Sequence, residues 1–165
     1  LGYAGKNGHP YTSIGKALVA LGQGSPKSMS MQGIKDWLHA DKERGKQLMW
    51  QNKSYVFFTE LSEDAGADGP LGAQGIPLTP GRSLAVDPAF NALGLPIFVE
   101  AAELTKPDGK PFRRLMIAQD VGSAIKGPER GDIFWGSGDD AGAIAGTTLA
   151  PAKFIVLRPN QSAGT

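Results

Sequence analysis

Residues 119–136 read QDVGSAIKGPERGDIFWG, and the fold turns on how this stretch is taken. It follows an apolar run, Leu115-Met116-Ile117-Ala118, and ends that run on a carboxylate at Asp120. It then passes through glycines and returns a second carboxylate, Asp132, just before Ile133-Phe134-Trp135. β-formers cut by glycines predict strand, loop, strand. Carboxylates at the point where a strand gives way to a glycine loop stand on the rim of a sheet, where a rigid scaffold presents side chains to a ligand.

Working outward, the remaining strands are expected at Tyr55–Phe58, Ser83–Val86, Ile97–Leu104, Arg113–Gln119, Asp132–Trp135 and Lys153–Leu157. Lys106-Pro107-Asp108-Gly109 is strong turn chemistry and predicts a hairpin between the two strands that it separates. Upstream the pattern is helical. Thr12 or Ser13 can cap a helix carrying Ile14, Ala17, Leu18 and Leu21, which Gly22 stops. Ser30 can cap a second, striped with Met31, Ile34, Trp37 and Leu38, and Asp41 begins a third with Leu48, Met49 and Trp50 facing inward. Residues 1–11, rich in glycine, read as a loop, and Asp139–Gly146 as a short helix. Short strands with helices pushed to one end predict an α+β chain, mainly β and built on a barrel, with a helical N-terminal portion.

The composition removes several function classes. The chain has 165 residues, enough for one domain or a domain and a half with a real core. Its 17 basic and 16 acidic side chains leave no field for nucleic acid. The absence of cysteine removes disulfides, thiolate metal sites and a Cys nucleophile, and His9 and His39 are too far apart in sequence for a zinc site. No apolar run approaches the ~20 residues that span a bilayer. The chain opens at Leu1 without a methionine, which suggests a piece of a longer precursor.

Three aspartates, Asp87, Asp120 and Asp132, follow apolar runs. One alone is usually a turn former; three together suit the cleavage of glycosidic bonds, where a carboxyl must carry a proton to the leaving oxygen. Phe134 and Trp135 are expected to supply the apolar wall that such an acid needs. A hard cation is the competing ligand, but the spacing of a calcium loop is missing, so no metal is expected. Lys126 is either a solvated lysine or a partner that keeps an aspartate ionised. Tyr3, Asn7, Tyr11 and Trp135 are the side-chain types that line sugar clefts, and equally types that pack.

These residues sit in segments that resemble the membrane-bound lytic transglycosylase A family with its C-terminal three-aspartate domain: 2–8 (GYAGKNG), 10–15 (PYTSIG), 52–58 (NKSYVFF), 73–79 (AQGIPLT), 85–88 (AVDP), 118–122 (AQDVG), 124–127 (AIKG) and 131–136 (GDIFWG). Ser123 stands where relatives often have glycine. The resemblance implies a double-psi β-barrel with strands from upstream of Leu1, so the sheet is expected to be completed by a second fragment of the same precursor or by a self-paired dimer. Residues 1–53 would be the end of a second, groove-forming domain, residues 54–160 the barrel, and residues 161–165 a tail.

It further implies a cofactor-free peptidoglycan lyase of the periplasm, anchored to the outer membrane through an upstream lipid. Asp132 would act as the single acid and base, supported by Asp120 and Asp87. Tyr3, Asn7, Tyr11, Ser13, Gln74, Lys126, Gly127 and Trp135 would contact the glycan. The rival expectation is a barrel module that binds wall glycan without cutting it, as in expansin-like proteins.

Overall fold

The computed structural model describes residues 1–25, 30–61, 69–105 and 109–160. Contacts divide the chain into two compact units, Leu1–Leu61 and Ser62–Thr165.

In the first unit, β1 (Gly2–Lys6) pairs antiparallel with β2 (Val56–Thr59), with a register shift between Tyr3 and Gly5. Residues 2–6 are therefore a strand and not part of a loop. The glycines that argued for a loop mark instead an irregularity in a strand, which is where strand glycines tend to occur. Between the two strands lie α1 (Ile14–Ala20), α2 (Met31–Ala40) and α3 (Lys42–Met49).

Each helix starts on the cap that the sequence offers. Ser13 Oγ accepts from Lys16 N, Ser30 Oγ from Gly33 N, and Asp41 Oδ1 from the N–H groups of Glu43 and Arg44. α2 and α3 approach so closely that a Cβ on Gly45 would lie 2.6 Å from the Leu38 carbonyl oxygen. Leu18 and Leu48 are buried. Met49 and Trp50 are exposed, contrary to the inward stripe expected for them. Successive helical residues are about 100° apart, so three in a row cannot share one face. Met31 is likewise exposed at the start of α2, while Ile34, Trp37 and Leu38 are half-buried.

The second unit holds β3 (Ser83–Val86), β4 (Pro96–Thr105), β5 (Pro111–Val121), β6 (Gly131–Ile133), α4 (Asp139–Thr147) and β7 (Lys153–Val156). The five strands form one sheet in the order β6-β3-β5-β4-β7, with β3–β5 parallel and the other pairs antiparallel. β4 and β5 make the expected hairpin; its turn, residues 106–108, lies outside the described residues, as does the tail at 161–165.

Alternation sets the core. Leu84 and Val86 of β3, Ile97, Val99 and Ala101 of β4, and Phe112, Met116 and Ala118 of β5 are all buried in one cluster. Ile133, Trp135, Phe154 and Val156, from beyond the two sides of the central strands, pack against the same cluster. The sheet therefore curls around its own core. Its two edge strands meet there: a Cβ on Gly131 of β6 would lie 2.8 Å from Cζ of Phe154 on β7 and 3.1 Å from Leu84 Cδ1.

Because that approach depends on the missing side chain, Gly131→Ala is expected to destabilise the protein by about 1–3 kcal/mol, the usual range for overpacking. Urea unfolding midpoints read this. An unchanged midpoint would mean that the edges do not converge at Gly131.

Candidate active site

Asp120 and Asp132 reach one site from strands on either side of β3. Ala85 of β3 is in register with Asp120 of β5 and with Asp132 of β6. The three residues thus form a row across the sheet, carboxylate, methyl, carboxylate, with the outer Cα atoms roughly 10 Å apart, two strand spacings. All three line a cavity of about 300 Å³, together with Leu78, Ile125 and Phe134.

An irregular register makes this possible. Ser83 pairs with Ile117 and Leu84 with Ala118, but Ala85 pairs with Asp120, so Gln119 is an extra residue. Side chains alternate along a strand, and without the bulge Asp120 would stand opposite Val86, on the face of the apolar core. The bulge turns it to the other face.

The three aspartates are held very differently. Asp87, 4% exposed, follows the last residue of β3 and has both oxygens occupied. Oδ2 accepts from Gly127 N at 2.9 Å and Oδ1 from Ala89 N at 3.2 Å. The Gly127 N–H, then the Ala89 N–H, and last the nearby Lys126 charge hold its pKa below the ordinary aspartate value, against the opposing effect of burial. Gly127 makes its bond at φ 104°, a conformation that favours glycine. Asn91 Nδ2 donates to the Pro128 carbonyl, so the turn after β3 grips the 122–128 loop at two points. Asp87 is the anchor of that loop, and Lys126 helps to keep it ionised.

Asp120 is half-buried and ties down a second loop. Its Oδ1 accepts from Ala73 N at 2.9 Å, and the adjacent Gln119 carbonyl accepts from Gln74 N at 3.1 Å. Gln74 is thereby placed next to Asp120, with its side chain exposed. Asp132 is the open one. Its side chain is 57% exposed, and Oδ1 lies 3.2 Å from Nη2 of Arg130.

The apolar wall is narrower than expected. Phe134 lines the cavity with Asp132, but Trp135, on the alternate face, packs edge-on against Phe112 at 5.6 Å. Among the described residues the Trp135 Nε1 is buried without a hydrogen-bond partner. Trp135 and Arg130 line a second cavity of about 380 Å³ on the core side, which also reaches Asp132 because β6 is an edge strand.

The other sequence candidates belong to the first unit. Tyr3 and Tyr11 are exposed. Asn7 closes the end of the β1–β2 ribbon, accepting from Tyr55 N and donating to the Lys53 carbonyl, and Ser13 caps α1. Sequence reasoning missed Arg130, Ser83 and Gln119. Arg130 had a legible signal, since opposite charges two residues apart in an extended segment share a face. Among the described residues no three His, Asp or Glu side chains gather as a metal-binding group.

A curled sheet carrying a row of carboxylates over a cleft defines a class that two family models resolve. The "3D domain" model matches residues 82–158, and the "MltA specific insert domain" model matches residues 1–59. The membrane-bound lytic murein transglycosylase A of Escherichia coli K12 is 39% identical over 98% of this chain and 44% of its own length. A crystal structure of a membrane-bound lytic murein transglycosylase from Agrobacterium tumefaciens superposes with a TM-score of 0.84 at 47% identity, over 95% of this chain and 43% of that one. The E. coli MltA structure with bound chitohexaose gives 0.81 at 36% identity, over 94% of this chain and 46% of that one. This chain belongs to the membrane-bound lytic murein transglycosylase A family. It spans less than half the length of the relatives that it matches.

The depressed pKa of Asp87 has a thermodynamic consequence. A carboxyl whose pKa is lower folded than unfolded contributes stability above the unfolded value, about 3.9, and that contribution is lost as the pH falls through the folded value. Melting temperatures taken from pH 7 to pH 2 should fall through that window in the wild type. In Asp87→Asn they are expected to start lower and fall less over it; equal slopes would remove Asp87 from the acid transition.

Proposed function

We propose that this chain carries the catalytic part of a peptidoglycan lytic transglycosylase, which cleaves the β-1,4 bond between N-acetylmuramic acid and N-acetylglucosamine. The observation that supports it best is the bulged register that places Asp120 and Asp132 in one row over Ala85, facing a common cavity. The names of its relatives and the chitohexaose bound to E. coli MltA support a glycan substrate.

In this reading Asp132 is both acid and base. Its carboxyl gives a proton to the glycosidic oxygen as the C1–O bond breaks. Positive charge develops on the muramoyl ring, opposed by the Asp120 carboxylate from across the row. The muramoyl O6 hydroxyl then attacks C1 and returns its proton to Asp132, giving the 1,6-anhydro product. No water is consumed, so the paired acid and base of a hydrolase are not needed. Asp132 is half-exposed in the free protein, and the bound glycan supplies the cover that excludes water.

The same reading assigns the curled sheet to a double-psi barrel and the helical unit to a groove-forming domain, in which the exposed Tyr3 and Tyr11 offer stacking surfaces to sugar rings. The relatives are named as membrane-bound, which supports a periplasmic enzyme held at a membrane. No helix of the described residues is long and apolar enough to cross one.

Asp132→Ala is expected to lower turnover by about 10²–10⁴-fold, the usual worth of general acid–base catalysis. Its stability should change by no more than about 1 kcal/mol, since an exposed ion pair contributes little. Mass spectrometry of digested sacculi, scored for anhydromuropeptides, measures the first and thermal unfolding the second. A mutant retaining more than roughly a tenth of wild-type turnover would remove Asp132 from the role that this magnitude assigns. Strands bound by the wild type but never cut would make the protein a glycan-binding module.

A further inference from the structure

The bulge at Gln119 needs a reason to persist. An extra residue in a strand is unpaired in the ladder, and the strand can regularise unless something holds it. The regular register would put Gln119 opposite Ala85 and Asp120 opposite Val86, which is fully buried. There the carboxylate would turn away from Ala85 and from the cavity that it lines with Asp132. The count of residues alone does not fix where Asp120 points once the bulge forms.

The neighbouring side chains do fix it. Ser83, on the same face of β3 as Ala85, is 1% exposed and lines the cavity with Asp120 and Asp132. Its hydroxyl accepts from Thr79 N at 2.8 Å, so its own proton is left for Gln119 Oε1, 2.5 Å away. A hydroxyl has one proton to give, and this pairing orients it uniquely. Gln119 is therefore clasped on both sides, by Ser83 through its side chain and by Gln74 N through its carbonyl.

We propose that Ser83 is a positioning residue of the site. It holds the bulged Gln119, and through it the direction in which Asp120 faces the cavity beside Asp132. Ser83 touches neither the reacting bond nor the acid in this arrangement. This inference rests on the transglycosylase reading, because it assigns Asp120 a part in the chemical step.

Turnover and KM are to be measured on purified glycan strands for the wild type, Ser83→Ala, Asp120→Asn and the double variant, with Asp132→Ala as control. One net hydrogen bond is worth up to about 1.5 kcal/mol, so Ser83→Ala is expected to lower kcat by up to about tenfold with KM within about twofold. In the Asp120→Asn background Ser83→Ala should cost nothing further, since there is no carboxylate left to place. Gln119→Met, which removes the same bond from its other end, should reproduce the Ser83→Ala loss.

Losses that multiply in the double variant, a loss carried by KM, or a kcat within about twofold of wild type in both Ser83→Ala and Gln119→Met would each overturn the inference. A wild type that makes no anhydromuropeptides, or an Asp132→Ala variant as active as wild type, would overturn the functional reading and this inference with it. The two failures are thus read from different proteins.

Discussion

The β3–β5 register is the constraint on which the site depends. Strand side chains alternate with a period of two, so one inserted residue reverses the face of everything beyond it. Up to Leu84 and Ala118 the two strands bury their apolar residues in a common core; past Gln119 the next residue, Asp120, is delivered to the opposite face. The bulge thus turns Asp120 toward the cavity beside Asp132 while Val86 of β3 stays in the core. The Ser83–Gln119 bond and the Gln74 contact to the Gln119 carbonyl both act at that one switch point.

The three aspartates show how one residue type takes separate roles through its surroundings. Asp87 has both oxygens bonded to backbone N–H groups and a depressed pKa, which suits a fixed anchor, and at 4% exposure it has little surface to offer a substrate. Asp120 commits one oxygen to Ala73 and keeps the rest of its carboxylate toward the cavity. Asp132 has no backbone donor among the described bonds and only the Arg130 guanidinium beside it. The number of backbone N–H groups that each accepts among the described bonds falls in the order Asp87, Asp120, Asp132.

The parts of this molecule that were legible in its sequence are those decided locally. Ser13, Ser30 and Asp41 cap helices because a short oxygen-bearing side chain meets N–H groups two or three residues on, which needs no tertiary partner. The β4–β5 hairpin and the strand at Ser83–Val86 follow from alternation and turn chemistry in the same way. β1 was misread because its glycines are tolerated only through pairing with β2, some fifty residues away in register terms that no local pattern records. Asp120 and Asp132 could be picked out as strand-end carboxylates, but their meeting over Ala85 could not. It requires a bulge whose partners, Ser83 and Gln119, are 36 residues apart in the chain. Trp135 was legible only as either a cleft or a packing side chain, because its face depends on which side of the curled sheet β6 presents, and that is set by Phe112 and the core.

In the proposed reaction Asp132 must exchange protons with a polymer, and an edge strand is a demanding place for such an acid. Central strands are flanked on both sides, so their carboxylates are approached only from above the sheet; β6 has β3 on one side alone, and Asp132 borders cavities on both faces. That leaves room for a long ligand, but it also leaves the side chain wet. Arg130 beside it forms an exposed pair, worth at most about 1 kcal/mol and so too little to resist displacement. On the proposed reaction the wetness is met only when a sugar chain covers the row. Until then the polarity of water weakens every charge interaction in the site, and its exclusion would let the Asp120 carboxylate act on the sugar ring of the proposed substrate through a lower effective dielectric. On the proposed reaction, reach is built into the sheet edge and dryness arrives with the substrate, which would couple the chemistry of Asp132 to occupancy of the cleft by its polymer.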